Sequence, residues 1–204
     1  MRNNNPFFSV IIPAHNAEGY IKKGLDSIAS QSFQDYELIV VCDKCTDHTP
    51  EMMKMHERVD KVIETDYGLD GMARNAGIDA AEGKWLLFMD DDDWFLHEYV
   101  FDQLHAAIES EEGLDILLFS FIWKGRGYCS QVNGRRIAVW CKAWRREHIG
   151  GTRFPAVPYW SDVDFNNAMF AKESRIGVWD MPMYYYNYLR PGSISWRKEK
   201  GEIE

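Results

Sequence analysis

Four consecutive aspartates follow a short apolar segment in the middle of the chain. Residues 85–89 are wholly apolar, and Asp90, Asp91, Asp92 and Asp93 come directly after them. An apolar run of this length predicts a buried strand whose C-terminal end brings negative charge to a solvent-facing edge. Because four adjacent carboxylates repel one another, a cation is expected beside this acidic run (residues 90–93).

The residues of the acidic run alone allow two interpretations. In the first, one aspartate caps a helix that begins near residues 94–97, and the others are solvated. In the second, Asp-x-Asp at a strand end offers oxygen ligands to Mn²⁺ or Mg²⁺ and leaves coordination positions for phosphate. Which of the two interpretations is favoured depends on the residues that the rest of the fold places beside the acidic run.

The periodicity of the chain predicts alternating strands and helices. Strands are expected over 7–13, 36–42, 61–64, 85–89 and 116–123, and helices over 20–28, 50–57, 71–81 and 97–109. This alternation predicts an α/β fold with a mostly parallel sheet flanked by helices. After residue 124 the order loosens, and we expect an antiparallel hairpin over 128–139, a helix over 162–171 and late strands over 176–179 and 183–188.

Polar clusters follow three of the predicted parallel strands. They are residues 15–18 after the first strand, 43–49 after the second and 90–93 after the fourth. In an open parallel sheet, ligands bind outside the carboxyl ends of the strands. The convergence of three clusters at one edge favours a ligand site over a simple helix cap.

The cluster after the first strand is suited to a nucleotide. Pro13 fixes the exit from the strand, so that Ala14, His15 and Asn16 can line a base or ribose. Glu18 is suited to accept a hydrogen bond from a ribose hydroxyl. The alternative for each residue is ordinary loop structure.

Two further residues extend this hypothesis. Asp43, at the end of the second strand, can accept a hydrogen bond from N3–H of a uracil. Arg74 lies early in the helix that follows the glycine-containing loop, where its guanidinium can meet a diphosphate or the acidic run. The structural alternative for Arg74 is an ion pair with a loop carboxylate.

Composition limits the classes of protein to which the chain can belong. Its 204 residues carry a formal net charge of −9 and no basic block, which argues against a nucleic-acid binder. They are compatible with a single domain. The longest apolar run is too short for a membrane span, and the N-terminal residues show no signal region, so we expect a cytoplasmic protein.

The four cysteines, Cys42, Cys45, Cys129 and Cys141, predict reduced thiols rather than a disulfide framework. The spacing of Cys42 and Cys45 is also found in thioredoxin-like redox centres and in half of a zinc site. No second pair completes a zinc site. Incidental thiols are the favoured interpretation, and a thiol redox protein is an alternative hypothesis.

Several of these segments resemble, in the same order, the motifs of family 2 glycosyltransferases of the GT-A fold. The segments are 10–16, 43–49, 68–77 with its Ala73-Arg74-Asn75 core, 88–94, 161–165 and 190–195. The resemblance covers nearly the whole chain. It implies a Rossmann-like GT-A domain over 1–204, with a nucleotide-sugar-binding half over 1–123 and a smaller, antiparallel or irregular acceptor-binding half over 124–204.

The resemblance also assigns roles to residues. The resemblance implies that the nucleotide sugar, whose base is most commonly uridine in this family, is bound by Pro13, Ala14, His15, Asn16, Glu18, Asp43, Arg74, Asp90 and Asp91. Asp92, with Asp90, would bind Mn²⁺ or Mg²⁺, and Asp162 would be the general base of an inverting displacement. Asp93 would only cap the next helix. The acceptor would be a saccharide or a lipid-linked saccharide, as in cell-surface polysaccharide synthesis, with Trp160 against a sugar ring and peripheral contact with the inner face of the membrane.

The chain departs from the family pattern at two motifs. Cys42 and Lys44 replace an acid and a glycine in the usual Asp-Asp-Gly-Ser-Thr-Asp, and Ser161 replaces the glutamate that commonly precedes the base. The chain also stops soon after 190–195, so we expect an acceptor site that a partner or a further segment completes. A protein that binds the nucleotide without catalysis is therefore an alternative hypothesis.

Overall fold

The computed structural model describes residues 5–132 and 138–202. Its helices are α1 (Lys22–Ala29), α2 (Thr49–Met55), α3 (Asp70–Ala80), α4 (Val100–Glu109), α5 (Arg146–Ile149), α6 (Ser161–Phe170) and α7 (Ile194–Glu199). Its strands are β1 (Phe8–Ala14), β2 (Tyr36–Asp43), β3 (Lys61–Thr65), β4 (Trp85–Phe88), β5 (Trp94–Phe95), β6 (Ile116–Trp123), β7 (Gly127–Cys129), β8 (Lys142–Arg145) and β9 (Ile176–Tyr186).

The described strands form one mixed sheet. Its order is β3-β2-β1-β4-β8-β6-β9-β5, and β7 pairs with β6. The first four strands are parallel to one another, whereas β8 runs antiparallel to both of its neighbours, β4 and β6. The predicted α/β fold, with a parallel first half and a more irregular second half, is confirmed.

The central strands are buried on both faces because their apolar residues are contiguous. Val10 and Ile12 point into one hydrophobic cluster and Ile11 into the other, and both clusters continue through β2 and β4. Consecutive side chains of a strand alternate between the two faces, so an uninterrupted apolar run fills both layers. This packing fixes the carboxyl ends of β1, β2 and β4 at one edge of the sheet.

Gly77 allows α3 to lie directly on β1. A Cβ atom at this position would stand 2.3 Å from Cγ2 of Ile11, which is far inside van der Waals contact. The absence of a side chain therefore sets the depth of α3 and brings its first turn to the carboxyl edge of the sheet.

Replacing Gly77 by alanine is expected to lower the free energy of unfolding by about 2 kcal/mol, because the methyl group overpacks this contact. Urea unfolding measures the change. Gly19→Ala is the matched control, since a Cβ there meets nothing within 4 Å. Equal stability of the two variants would contradict this account of the α3–β1 contact.

The second half differs from the prediction in two places. The late strands predicted over 176–179 and 183–188 are one strand, β9, whose pairing with β6 shifts register around Ser120. The chain also inserts β8, which was not predicted, between β4 and β6. The hairpin predicted over 128–139 includes residues 133–137, which lie outside the described residues, so it stays a prediction; β7, at its start, pairs with β6.

Within residues 5–132 and 138–202, none of the helices combines the length and the apolar character that a membrane crossing requires.

Candidate active site

His15 connects the ends of the three strands that carry the polar clusters. Its backbone N–H donates to Oδ2 of Asp91 at 3.2 Å, and its Nδ1 lies 2.8 Å from the carbonyl oxygen of Asp43. Because a carbonyl oxygen only accepts, Nδ1 carries the hydrogen in this contact. The predicted convergence of the three clusters at one edge is therefore present in the structure.

The loops after β1 and β2 are joined by hydrogen bonds. Oδ1 of Asn16 accepts from the backbone N–H of Thr46 at 2.7 Å and of Asp47 at 3.3 Å. Oε2 of Glu18 accepts from the backbone N–H of His48 at 2.8 Å. These contacts fix the shape of the loops at the predicted nucleotide site. Direct contact of Asn16 and Glu18 with a nucleotide stays a prediction.

Pro13 and Ala14 contribute through the backbone. The methyl group of Ala14 is buried, so it cannot line a base directly. Its carbonyl oxygen accepts a weak hydrogen bond from Sγ of Cys45 at 3.5 Å, and Pro13 is half-buried beside it. The two residues set the course of the chain as it leaves β1.

Asp43 organises the segment between β3 and α3. Its Oδ1 accepts from Oγ1 of Thr65 at 2.9 Å and from the N–H of Tyr67 at 2.7 Å, and its Oδ2 accepts from the N–H of Leu69 at 3.0 Å. A carboxylate oxygen accepts two hydrogen bonds, so Oδ2 retains a position for one further donor. Recognition of uracil by Asp43 stays a prediction.

Arg74 is buried between two carboxylates. Its Nη1 donates to Asp70 at 2.6 Å and its Nη2 to Asp90 at 2.7 Å. Burial opposes the charge, but Asp70 and Asp90 outweigh it and raise the pKa of Arg74. Arg74 thus contacts the acidic run, which was one of its two predicted binding partners. Its ion pair with Asp70 matches the alternative interpretation, in which Arg74 only pairs with a nearby carboxylate.

Burial and mutual repulsion disfavour the ionised forms of Asp90 and Asp91 in the acidic run. Burial raises the pKa of Asp90 to about 6, against the opposing charge of Arg74, and Asp92 adds to the shift. Burial and the charge of Asp92 raise the pKa of Asp91 to about 7. Carboxyl groups that resist ionisation together in this way fit a site for a cation.

Arg190 is a site residue to which the sequence pattern assigned no role. Its Nε donates to Oδ2 of Asp92 at 2.7 Å, and its guanidinium lies 3.7 Å from the centre of the Tyr20 ring. The only sequence signal was its place at the start of the 190–195 motif. The segment after β9 therefore returns to the acidic run.

The prediction that Asp93 caps the following helix is wrong. Residues 94–95 form β5, and α4 begins only at Val100. Asp93 is fully buried and accepts from the hydroxyl of Tyr184 and the N–H of Asn187, both at 2.7 Å. It ties the acidic run to the end of β9, because a buried carboxylate needs such donors.

Asp162 lies in the first turn of α6 on the same side of the sheet as Arg74. Burial raises the pKa of Asp162, and the charge of Arg74 partly offsets this. Its Oδ1 accepts from the N–H of Val163 at 2.9 Å. The preceding Ser161 donates through its hydroxyl to Oδ1 of Asp70 at 3.3 Å, so α6 and α3 meet at their N-terminal ends.

Trp160 is exposed just before α6. Its side chain is 60% accessible, and its backbone has a φ of 65°, which turns the chain into the helix. Nζ of Lys198 in α7 lies 4.7 Å from the centre of the indole ring. An accessible aromatic face beside the predicted base is compatible with the predicted sugar contact.

Asp90 and Asp92 are the described residues that best fit a divalent cation. Among the described residues, no group of three or more His, Cys, Asp or Glu side chains is arranged to hold a metal ion. Asp90 and Asp92 each have one oxygen on an arginine. Mg²⁺-type sites commonly use one or two carboxylates together with substrate phosphates, so this pair fits a cation that a diphosphate completes.

The two cysteines at the end of β2 do not have the character of a redox centre. Burial raises the pKa of the Cys42 thiol to about 12 and also raises that of Cys45. Reactive cysteines need a lowered pKa, because the thiolate is the nucleophile. Both residues are free thiols in the structure, which favours the interpretation as incidental cysteines.

Comparison with known proteins gives a consistent result. The family described as Glycosyl transferase family 2 matches residues 9–153. The chain is 38% identical over 218 residues to Glycosyltransferase GlyA of Streptococcus pneumoniae. This alignment covers 92% of this chain and 31% of GlyA. It is 37% identical over 137 residues to Poly(ribitol-phosphate) beta-N-acetylglucosaminyltransferase TarS of Staphylococcus aureus, covering 64% of this chain and 22% of TarS.

Solved structures agree with these matches. S. aureus TarS 1-349 in complex with UDP has a TM-score of 0.78 at 28% identity, covering 88% of this chain and 60% of that one. The mannosyltransferase PcManGT of Pyrobaculum calidifontis, in complex with GDP-Man and Mn²⁺, shares the fold with a TM-score of 0.75 at 19% identity, covering 97% of this chain and 61% of that one. The chain spans about a third or less of the length of GlyA and TarS.

Proposed function

The chain belongs to glycosyl transferase family 2, and on that premise we propose that it transfers a sugar from a nucleotide diphosphate sugar to a hydroxyl group. The donor is a UDP-sugar, and the acceptor is a saccharide or lipid-linked saccharide of a cell-surface polysaccharide. The observation that carries the proposal is the acidic run at the carboxyl edge of the sheet, held between Arg74 and Arg190.

The donor site is proposed at the ends of β1, β2 and β4. Its walls are His15, Asn16, Glu18, Asp43, Arg74, Asp90 and Asp91, and Pro13 and Ala14 contribute through the backbone. The hydrogen bonds of His15 and Asn16 join these walls to one another. Walls that are held together by such bonds lose less conformational entropy when a ligand binds, which supports a nucleotide site here.

Asp92 and Asp90 are proposed to hold Mn²⁺ or Mg²⁺. The bound cation would neutralise charge on the leaving diphosphate. Arg190 already contacts Asp92, so it lies where it can face the same phosphates. Arg74 keeps Asp90 oriented through the 2.7 Å contact.

Asp162 is proposed as the general base. It takes the proton of the acceptor hydroxyl as that oxygen bonds to the anomeric carbon, while the bond from this carbon to the diphosphate oxygen breaks. Attack from the face opposite the leaving group inverts the configuration. The raised pKa of Asp162 supports the role, because a more basic carboxylate removes a proton from an alcohol more effectively.

The acceptor is proposed to lie against Trp160. The exposed indole offers an apolar face to the C–H surface of a sugar ring. TarS is named for transfer of N-acetylglucosamine to poly(ribitol-phosphate), and its structure has been solved with UDP and with UDP-GlcNAc. These relatives support a uridine donor and a cell-surface acceptor. A lipid-linked acceptor would add peripheral contact with a membrane.

Binding of UDP in the presence of Mn²⁺ is expected to raise the Tm of the protein by about 5 °C at saturating concentrations, since a ligand that binds only the folded state stabilises it. Asp92→Asn is expected to abolish the Mn²⁺-dependent part of the shift, because it removes a negatively charged ligand. A thermal-shift panel of UDP, GDP and dTDP with and without Mn²⁺ measures both effects.

Asp26→Asn is the matched control for this panel. Asp26 is an exposed carboxylate on α1 that pairs with Lys22, so its loss should leave the shift unchanged. If none of the three nucleotides gives a Mn²⁺-dependent shift, or if Asp92→Asn behaves like the control, the proposed metal and donor site is wrong.

A further inference from the structure

Asp70 joins the donor side of the site to the helix that carries the base. Its carboxylate accepts from three donors: Nη1 of Arg74 at 2.6 Å, the N–H of Gly71 at 2.8 Å and Oγ of Ser161 at 3.3 Å. Arg74 also contacts Asp90, and Ser161 immediately precedes Asp162. A continuous set of contacts therefore runs from the acidic run to the start of α6.

The packing between the first turn of α3 and Ser161 leaves little freedom. Ser161 is only 2% exposed, and a Cβ atom at Gly71 would stand 2.8 Å from its Cβ. Asn75, one turn further along α3, exchanges two hydrogen bonds of 2.9 Å with the backbone of Phe154. The first turns of α3 thus form the surface on which the chain before α6 and the start of α6 are placed.

The charge at this contact lies on α3 rather than on α6. In this chain the carboxylate at the contact belongs to Asp70, and Ser161 supplies the hydroxyl. A second carboxylate at the buried position 161 would face the partly exposed carboxylate of Asp70, which is unfavourable because of like-charge repulsion.

We propose that Asp70 is a positioning residue for the transfer reaction, which holds Arg74 on one side and, through Ser161, the first turn of α6 with Asp162 on the other. This inference rests on the proposed function, since Asp162 acts as a base only there. It predicts that damage to the Asp70–Ser161 contact slows the chemical step more than it weakens donor binding.

Ser161→Ala is the first test, because it removes only the hydroxyl. We expect turnover to fall about tenfold, since a small misplacement of the base is costly, while the Kd for UDP with Mn²⁺ changes less than about twofold. Turnover is measured as UDP release from the best donor of a UDP-sugar panel, with water as acceptor. Titration calorimetry gives the Kd, and the Tm verifies that the variant is folded.

An exchange of the two groups is the second test. Ser161→Glu alone places two carboxylates together and is expected to lower turnover about 100-fold, whereas the double variant D70S/S161E is expected to recover at least about tenfold of this loss. Independent roles of the two residues would make the effects of the two substitutions on turnover additive. Ser174→Ala, a hydroxyl near the other end of α6, is the control and should leave turnover unchanged.

The failure of the inference and that of the proposed function give different results. If the wild-type protein neither binds UDP with Mn²⁺ nor releases UDP from any donor, the proposed function is wrong and the inference falls with it. If the wild-type protein turns over and Ser161→Ala keeps more than half of the rate, only the role of Asp70 is overturned. The same holds if D70S/S161E recovers nothing.

Discussion

Replacing Asp162 by asparagine is expected to lower the rate of sugar transfer about 10²- to 10⁴-fold while the affinity for UDP and Mn²⁺ stays within about twofold. Asparagine has nearly the same size, and its Oδ1 can still accept from the N–H of Val163 at 2.9 Å. It cannot take a proton from the acceptor hydroxyl. Steady-state kinetics together with calorimetry separate the two quantities.

Asp164→Asn is the matched control for this substitution. Asp164 lies in the same first turn of α6 but is exposed to solvent, so its charge is screened. Its replacement should leave the rate within about twofold. If both variants lose activity equally, the loss reflects the charge of the helix end rather than a general base. A wild-type protein that binds UDP but never releases it from a UDP-sugar would favour the hypothesis of binding without catalysis.

Arg74→Met is expected to lower the free energy of unfolding by about 2 kcal/mol, because it removes the buried guanidinium that pairs with two partly exposed carboxylates. The guanidinium of Arg74 contacts both Asp70 and Asp90, so two carboxylates lose their counter-ion at once. Urea denaturation monitored by tryptophan fluorescence measures the change. The variant should also bind UDP more weakly, since Asp90 is no longer held in place.

Arg153→Met serves as the comparison for Arg74. Arg153 pairs with Asp79 at 2.6 Å, but the Asp79 side chain is 64% exposed. Exposed ion pairs contribute about 1 kcal/mol or less, so this variant should remain close to the wild type. If the two variants lose similar amounts of unfolding free energy, the burial of Arg74 does not determine the stability of the site.

The features that depend on local sequence were predictable. The first strand was expected over 7–13 and is observed as Phe8–Ala14, because a contiguous apolar run suits a strand buried on both faces. The meeting of the three polar clusters followed from the parallel order of the strands. Even Asp70 had a local signal, since a carboxylate four residues before Arg74 is well placed for an ion pair on a helix.

The features that depend on distant residues were not predictable. Asp93 finds its hydroxyl donor 91 residues away in Tyr184, and Asp92 finds Arg190 at a separation of 98. Periodicity carries no information on such pairs, so a local role as a helix cap was assigned to Asp93. Asp43 shows the same limit, because its type indicates an acceptor, whereas only the fold shows that Thr65, Tyr67 and Leu69 are among its donors.

The position of β8 has a consequence for the order in which the sheet can assemble. β8 lies between β4 and β6, although it follows both of them in the chain. As the chain is synthesised, β1, β2, β3 and β4 can pair with one another, but β6 reaches β4 only through residues 142–145. The part of the chain between β4 and β8 is long, and bringing its two ends together has an entropic cost that must be met before β8 pairs with β4. The strand that leads into the acidic run therefore gains its second neighbour late in folding.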